Sequence, residues 1–316
     1  MTKIYLAGVN GLLGSSIKES LSQTNFNYVT SSRSELDLCD EIAVFNFFDR
    51  ERPTHTIFSA AKTGGIFSNQ NSPLEFIEDN LKMQFNVFRA SEKFGCKAVT
   101  FIASSTIYPE SATQPFDEGS LFSGKLHDSI ASYGYAKLIG IHTATVYNNK
   151  YNMDIRCVIP TNLYGSGDKF DGDNKHVIPA LIDKFLTAKE MNKSTVSLHG
   201  TGKARREFLY SDDAAEFIVN VNLNLSKEKW RSVCDPKTYS INLGATEDIT
   251  IANLAKKIAS LVGYGGDILF DIDTNDGVVS KKVSIRKIQQ LGWMPKTLLD
   301  IGLNKTIQNR LRSKEN

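Results

Sequence analysis

Ile102-Ala103-Ser104-Ser105-Thr106-Ile107-Tyr108-Pro109, followed further along by Tyr133-Gly134-Tyr135-Ala136-Lys137, holds the residue types that hydride chemistry at a carbinol or ketone requires. A phenol has a pKa of about 10 and shuttles protons poorly near neutral pH unless that value falls. Lys137 lies four residues beyond Tyr133, so in a helix the two side chains share one face. An ammonium close to the ring favours phenolate and lowers the tyrosine pKa. Tyr133 then protonates the alkoxide that develops as hydride arrives, and Ser104 hydrogen-bonds the same oxygen. Tyr-x-x-x-Lys alone is common by chance. The serine run ahead of it, and the elements that position both, give it weight.

Those elements begin at the first residues. Ile4-Tyr5-Leu6-Ala7 reads as a buried strand, then comes Gly8-x-x-Gly11-x-x-Gly14, then a helical pattern from Ser15 to Leu21. Strand, glycine turn and helix form the context of a dinucleotide fingerprint. The glycines permit a tight turn and close approach of backbone to pyrophosphate, and the helix N-terminus attracts the anion. The second strand, near Asn27 to Thr30, ends in Ser31-Ser32-Arg33. A carboxylate here suits the ribose 2′-hydroxyl of NAD; hydroxyls with Arg33 suit a 2′-phosphate, so NADPH is the expected cofactor.

Strand and helix patterns then alternate. Thr56–Ala61 reads as strand, Leu74–Phe94 as a long amphipathic helix, Ala98–Ile102 as the strand that delivers Ser104, Tyr133–Tyr151 as helix and Asp154–Ile159 as strand. Repeated β-α-β with strands rich in β-branched residues predicts an α/β fold, a doubly wound parallel Rossmann sheet. Ligands of such sheets sit beyond the carboxyl ends of the strands, where the glycine turn and Ser104 both fall. After Pro160 the texture changes. A polar, glycine-rich loop spans Gly165 to Asn174, followed by helices over Val177–Lys189 and Thr250–Val262 and strands over Val196–Gly200 and Ile268–Ile272. The expected organisation is a nucleotide-binding domain of residues 1–164 plus about 203–245, and a smaller C-terminal α/β substrate domain of about 165–202 plus 246–316.

Composition narrows the partners. The 316 residues carry a net charge of +2, which gives no electrostatic case for nucleic acid or a membrane surface. No apolar run approaches the roughly 20 residues of a membrane helix, and the N-terminus lacks the charged-then-apolar texture of a signal peptide. Cys39, Cys96, Cys157 and Cys234 are scattered, without Cys-x-x-Cys pairing, and the five histidines show no metal-ligand spacing. Free thiols in a reducing cytoplasm, and no metal, are expected.

Longer segments carry a resemblance. With Ala60-Ala61-Lys62-Thr63-Gly64-Gly65-Ile66, Pro160-Thr161-Asn162-Leu163-Tyr164-Gly165, His176-Val177-Ile178-Pro179-Ala180-Leu181, Arg206-Glu207-Phe208-Leu209 and Gln290-Leu291-Gly292-Trp293, the chain resembles the extended short-chain dehydrogenase/reductases, and among them the GDP-L-fucose synthase family, nearly end to end. The resemblance implies Ser104, Tyr133 and Lys137 as the reductase triad and His176 as the acid of an epimerase step. It implies Gly8, Asn10, Gly11, Leu12, Gly14, Arg33, Ala60, Ala61, Tyr133, Lys137, Pro160, Asn162 and Leu163 at the cofactor. It implies Ser105, Thr106, Asn162, His176, Val177, Lys184, His199, Arg206 and Lys281 at a GDP-4-keto sugar, where cations suit the diphosphate. Asn10 stands where the family has an arginine near the 2′-phosphate, which shifts weight to Arg33. A homodimer through the helices at 74–94 and 133–151 is implied as well.

The largest departure from the family is Thr106. Fucose synthases have a cysteine there, the base that removes protons at C3 and C5, and a thiol with a pKa of about 8.5 can be tuned to that task. A threonine hydroxyl has no comparable ionised form. The resemblance extends to sugar-nucleotide 4,6-dehydratases, which place an acidic pair at the positions of Ser105 and Thr106, and to UDP-galactose 4-epimerase, which has threonine at the second. The expectation is a C4 reductase of a 6-deoxyhexose or heptose that has lost the epimerase base. Three readings stand beside it: the full bifunctional synthase; another residue supplying the base; and a non-catalytic NADP sensor, which the retained Tyr133–Lys137 pair disfavours.

Overall fold

The computed structural model describes residues 2–170, 175–271 and 279–315, apart from the side chains of Ile66 and Glu315. β1 (Lys3–Ala7) runs into the glycine turn and α1 (Leu12–Ser22), which buries Leu13, Ile17 and Leu21 at helical spacing. β2 (Asn27–Ser31) precedes α2 (Glu41–Glu51), whose N-cap Asp40 accepts from the Ala43 N–H. β3 (His55–Phe58), α3 (Ile66–Asn71) and α4 (Pro73–Lys93) follow, the last with proline in its first turn. β4 (Ala98–Ile102) carries the serine run on its carboxyl end, and α5 (Ala131–Tyr151) carries Tyr133 and Lys137. The rest comprises β5 (Ile155–Pro160), β6 (Asn162–Tyr164), α6 (Val177–Glu190), β7 (Thr195–His199), β8 (Arg205–Tyr210), α7 (Ser211–Leu223), α8 (Lys227–Val233), β9 (Ser240–Leu243), β10 (Asp248–Thr250), α9 (Ile251–Val262), β11 (Asp267–Asp271), β12 (Ser280–Lys281), α10 (Arg286–Gln290) and α11 (Leu299–Glu315).

The central sheet is parallel and six-stranded, in the order β2-β1-β3-β4-β5-β9. Side chains alternate between its faces. Tyr5, Phe58, Phe101 and Cys157 point into a core shared with α2, α4 and α5. Ile4, Leu6, Ile57, Val158 and Ile241 point into a second core shared with α1, α7 and α8. Helices on both faces of a parallel sheet are the doubly wound fold the sequence predicts. Its strand order reverses beside β1, and the crevice at that switch point opens on the glycine turn.

A third core joins α6, α9 and α11 to β7 and β8. It supports a small sheet in the order β10-β8-β12, with β6 paired to β8, and the separate pair β11-β7. The stretch around 203–245 is divided: β8 lies in the small sheet, whereas α7 and β9 pack with the central one. The strand expected over 56–61 ends at Phe58, freeing Ala60 and Ala61 for the crevice. Part of the expected 165–174 loop, residues 171–174, and the last residue of the expected 268–272 strand lie outside the described residues.

Candidate active site

The turn after β1 is built for close approach. Gly8 has a φ of 92°, and a Cβ there would stand 2.5 Å from the Ala60 nitrogen. A Cβ on Gly14 would stand 1.9 Å from the Gly8 carbonyl oxygen. Gly11 occupies the N-cap of α1 without a side-chain cap, which leaves first-turn N–H groups of that helix for a ligand. Such a cradle fits a dinucleotide pyrophosphate. Asn10 and Gly11 are exposed at its rim, and Leu12 is half-buried. Arg33 is exposed in the loop after β2. The same loop contains a carboxylate that the Ser31-Ser32-Arg33 motif does not reveal. Glu35 accepts from the Ser32 N–H at 2.7 Å and the Ser32 hydroxyl at 2.8 Å, bonds that lower its pKa.

At the end of β4 the chain enters a short turn, and the hydroxyls of the serine run assemble. Thr106 donates twice to Ser104 Oγ, from its hydroxyl at 3.1 Å and from its backbone N–H at 3.4 Å. Ser104 in turn hydrogen-bonds the Tyr133 hydroxyl. Ser105 is buried beneath them. With its oxygen accepting from Thr106, Ser104 keeps its own proton for Tyr133 or a substrate oxygen.

Lys137 lies on the Tyr133 face of α5, as its spacing predicts, but it does not act as predicted. Its Nζ donates to the Ile102 carbonyl at 2.7 Å and stands 6.0 Å from the centre of the Tyr133 ring. Burial pushes the Lys137 amine down to about 7. Burial likewise pushes Tyr133 up to about 12, against the opposing hydrogen bond from Ser104. The lowering expected from Lys137 is not seen at Tyr133, where burial outweighs the Ser104 hydrogen bond.

The remaining predicted residues lie on β6, the small sheet, α6 and the end of β7. Asn162, beyond Pro160 at the end of β5, donates to the Glu207 backbone carbonyl at 3.0 Å, and Leu163 packs at the edge of the α1–α7 core. The register of β12 on β8 places Lys281 opposite Arg206. Burial, followed by Arg206, pushes Lys281 down to about 8. Two cations held side by side form a site that an anion stabilises. Next to Arg206, Glu207 is buried and accepts from the Val283 N–H at 3.0 Å and from the Ala245 N–H; burial pushes its carboxyl up to about 7.

His176 occupies the N-cap of α6, just before Val177, and its Nδ1 lies 3.2 Å from Asp168 Oδ1. Neither composition nor spacing marks Asp168 in the sequence. Lys184 turns to β7, where Nζ donates to the Ser197 carbonyl at 2.7 Å. It lines an open groove of about 780 Å³ with Lys193 and Arg310. His199 is exposed at the end of β7. The four cysteines lie elsewhere: Cys96 and Cys157 in the core, Cys39 against the Asp79 carbonyl and Cys234 after α8. Among the described residues, no cluster could hold a metal ion and no helix is long and apolar enough to cross a membrane.

A tyrosine–lysine helix set against a serine turn, at the carboxyl ends of a doubly wound parallel sheet, defines a nucleotide-dependent oxidoreductase of the extended short-chain type. The chain belongs to the NAD dependent epimerase/dehydratase family, which it matches over residues 4–232, and within it to the GDP-L-fucose synthase family. It is 38% identical to the GDP-L-fucose synthase of Escherichia coli over 307 residues, 97% of this chain and 95% of that one. Its structure is similar to a GDP-6-OMe-4-keto-L-xylo-heptose reductase from C. jejuni, with a TM-score of 0.90, 29% identity, and coverage of 100% of this chain and 98% of the other. It is also similar to a GDP-mannoheptose C4 reductase from Campylobacter jejuni with NADP bound, with a TM-score of 0.86, 29% identity and 97% of both chains covered.

Proposed function

We propose that the protein is an NADPH-dependent C4 reductase of a GDP-4-keto sugar, a 6-deoxyhexose or a heptose, with 3,5-epimerase activity lost or weak. The observation that carries this reading is the Thr106 hydroxyl, which directs its proton to Ser104 Oγ at the place of the family's thiol base. A hydroxyl engaged in this way serves the oxygen chemistry of reduction and does not remove a proton from carbon. The two heptose reductases among the structural neighbours support the C4 assignment.

The glycine turn with Asn10 and Leu12, together with Ala60, Ala61, Pro160, Asn162 and Leu163, would hold the nucleotide, and Arg33 would face its 2′-phosphate. When bound, NADPH supplies the hydride. Tyr133 donates the proton that the C4 oxygen gains, and its burial keeps that proton on the phenol until the oxygen becomes basic. Ser104 donates to the same oxygen as its charge develops. Lys137, fixed on the Ile102 carbonyl, supplies a buried amine on the same helix face. Arg206 and Lys281 bind the diphosphate, while Val177, Lys184 and His199 border the nucleotide-sugar; Ser105 and Thr106 form the floor at C4.

This reading places the protein in the cytoplasm, in the synthesis of surface-polysaccharide precursors. It also places a homodimer interface on α4 and α5, where Phe85, Ile139 and Val146 are exposed. A second reading, the full bifunctional synthase, draws on the retained His176 with its partner Asp168. Mixing the protein with NADPH and GDP-4-keto-6-deoxymannose tests the assignment: nucleotide oxidation with reduction at C4 is expected, and no oxidation with this or a heptose analogue would refute it.

A further inference from the structure

The loop before α6 buries a carboxylate directly behind the histidine. Asp168 has a side chain only 3% exposed, whereas that of His176 is 58% exposed. Asp168 Oδ1 lies 3.2 Å from His176 Nδ1 and also accepts from the Lys169 N–H at 3.2 Å. Its Oδ2 is buried and has no hydrogen-bond partner among the described residues. A buried carboxylate oxygen without a partner is costly, so its retention calls for an explanation.

The loop is also rigidly seated. A Cβ on Gly167 would stand 2.4 Å from Ser15 Oγ on α1, so the loop lies close against that helix. Ser166 meets the Tyr210 hydroxyl at 3.2 Å and accepts from Asn309 of α11 at 2.6 Å. Asp168 is thus clamped between the helix of the glycine turn and the C-terminal helix.

His176 sits at the N-terminus of a 14-residue helix, the positive end of its dipole, where an imidazolium is disfavoured. The surrounding charges are mixed. Lys175 is bound by Asp183 at 2.7 Å, which also holds Arg310 of α11 at 2.8 Å. Lys169 is exposed on the loop, and Lys184 further along α6 is engaged with Ser197. Among the described residues, Asp168 is the anion in contact with the ring.

We propose that Asp168 is a positioning residue that fixes His176 with Nδ1–H toward its carboxylate and Nε2 toward the sugar, and that maintains the imidazolium as a hydrogen-bond donor to a sugar hydroxyl. The sugar half of this statement rests on the function proposed above; the Asp168–His176 pairing does not. The shift of His176 agrees: the Asp168 hydrogen bond raises its pKa, and burial opposes it.

Side-chain NMR of the ligand-free protein tests the pairing. Neutral His176 is expected as the Nδ1–H tautomer, the minor form of free histidine. Asp168→Asn retains an acceptor and loses the charge, so the His176 pKa is expected to fall by about one unit or more, while Asp168→Glu retains the higher value. The alkaline limb of kcat/KM for the GDP-4-keto sugar is expected to move to lower pH by the same amount in Asp168→Asn. An Nε2–H tautomer in the unaltered protein, or an unchanged His176 titration in Asp168→Asn, would overturn the pairing. A normal titration shift with no change in the kinetic profile would overturn the sugar role. Absence of any turnover in the unaltered protein would instead count against the proposed function and leave the dyad intact.

Discussion

The Thr106 hydroxyl donates to Ser104 Oγ across 3.1 Å, two residues along the same turn. It orients the serine proton toward Tyr133. On the proposed reading, the residue that stands in place of the thiol base takes part in the reduction. Thr106→Val deletes the donor at nearly constant volume. A net hydrogen bond of about 1 kcal/mol corresponds to a roughly fivefold to tenfold fall in kcat, with KM for the GDP-sugar little changed and Thr106→Ser restoring the rate. Steady-state kinetics of the three proteins check this, and an unchanged kcat in Thr106→Val would contradict it.

Tyr133 is the proposed proton donor. Its conversion to Phe removes the proton and leaves the ring. General acid catalysis contributes about 10²- to 10⁴-fold, and a fall of that order in NADPH oxidation is expected with the melting temperature retained. Near-normal turnover would exclude Tyr133 from the role.

Lys137 makes stability depend on pH in a defined direction. Its folded pKa of about 7 lies below the ordinary lysine value. Between the two values the unfolded chain binds more protons than the folded one, so stability rises with pH across that window, and the penalty of the buried ammonium is complete below 7. Lys137→Met removes the charge. The difference in melting temperature, variant minus parent, is expected to become more positive as the pH falls from 10.5 toward about 7 and to level off below that. A difference independent of pH would show that the amine is not desolvated as the structure indicates.

Gly14 tests the cradle. A methyl group there meets the Gly8 carbonyl at 1.9 Å, so the turn must open. Gly14→Ala is expected to weaken NADPH binding by about tenfold or more, the effect of losing at least about 1.4 kcal/mol of backbone contacts. Fluorescence titration with the nucleotide measures it, and unchanged affinity would place the cofactor elsewhere.

Much of this architecture is legible because its signals are local. The strand–glycine–helix unit at Ile4 to Leu21, the strand that ends in Ser104 and the Tyr133–Lys137 spacing each lie within a few turns of chain. The helix α2 escapes the apolar periodicity, although its cap at Asp40 is visible three residues before Ala43. Asp168 is not legible: it meets His176 eight positions further along the chain, a spacing that follows no helical or strand period. The electrostatics of Lys137 are not legible either. Spacing places the amine on the tyrosine face, but whether it is charged depends on burial, which the third dimension decides. The polar cap over β2 shows the same limit, with Glu35 tied to Ser32 by a bond that no motif announces.

The central claim is that the reduction remains and the carbon-acid chemistry does not. The direct measurement is turnover of GDP-4-keto-6-deoxymannose with NADPH in deuterated water, followed by mass and NMR analysis of the product. The account predicts reduction at C4 with no solvent deuterium at C3 or C5. Deuterium at both carbons, in a product of L-fucose configuration, would contradict it.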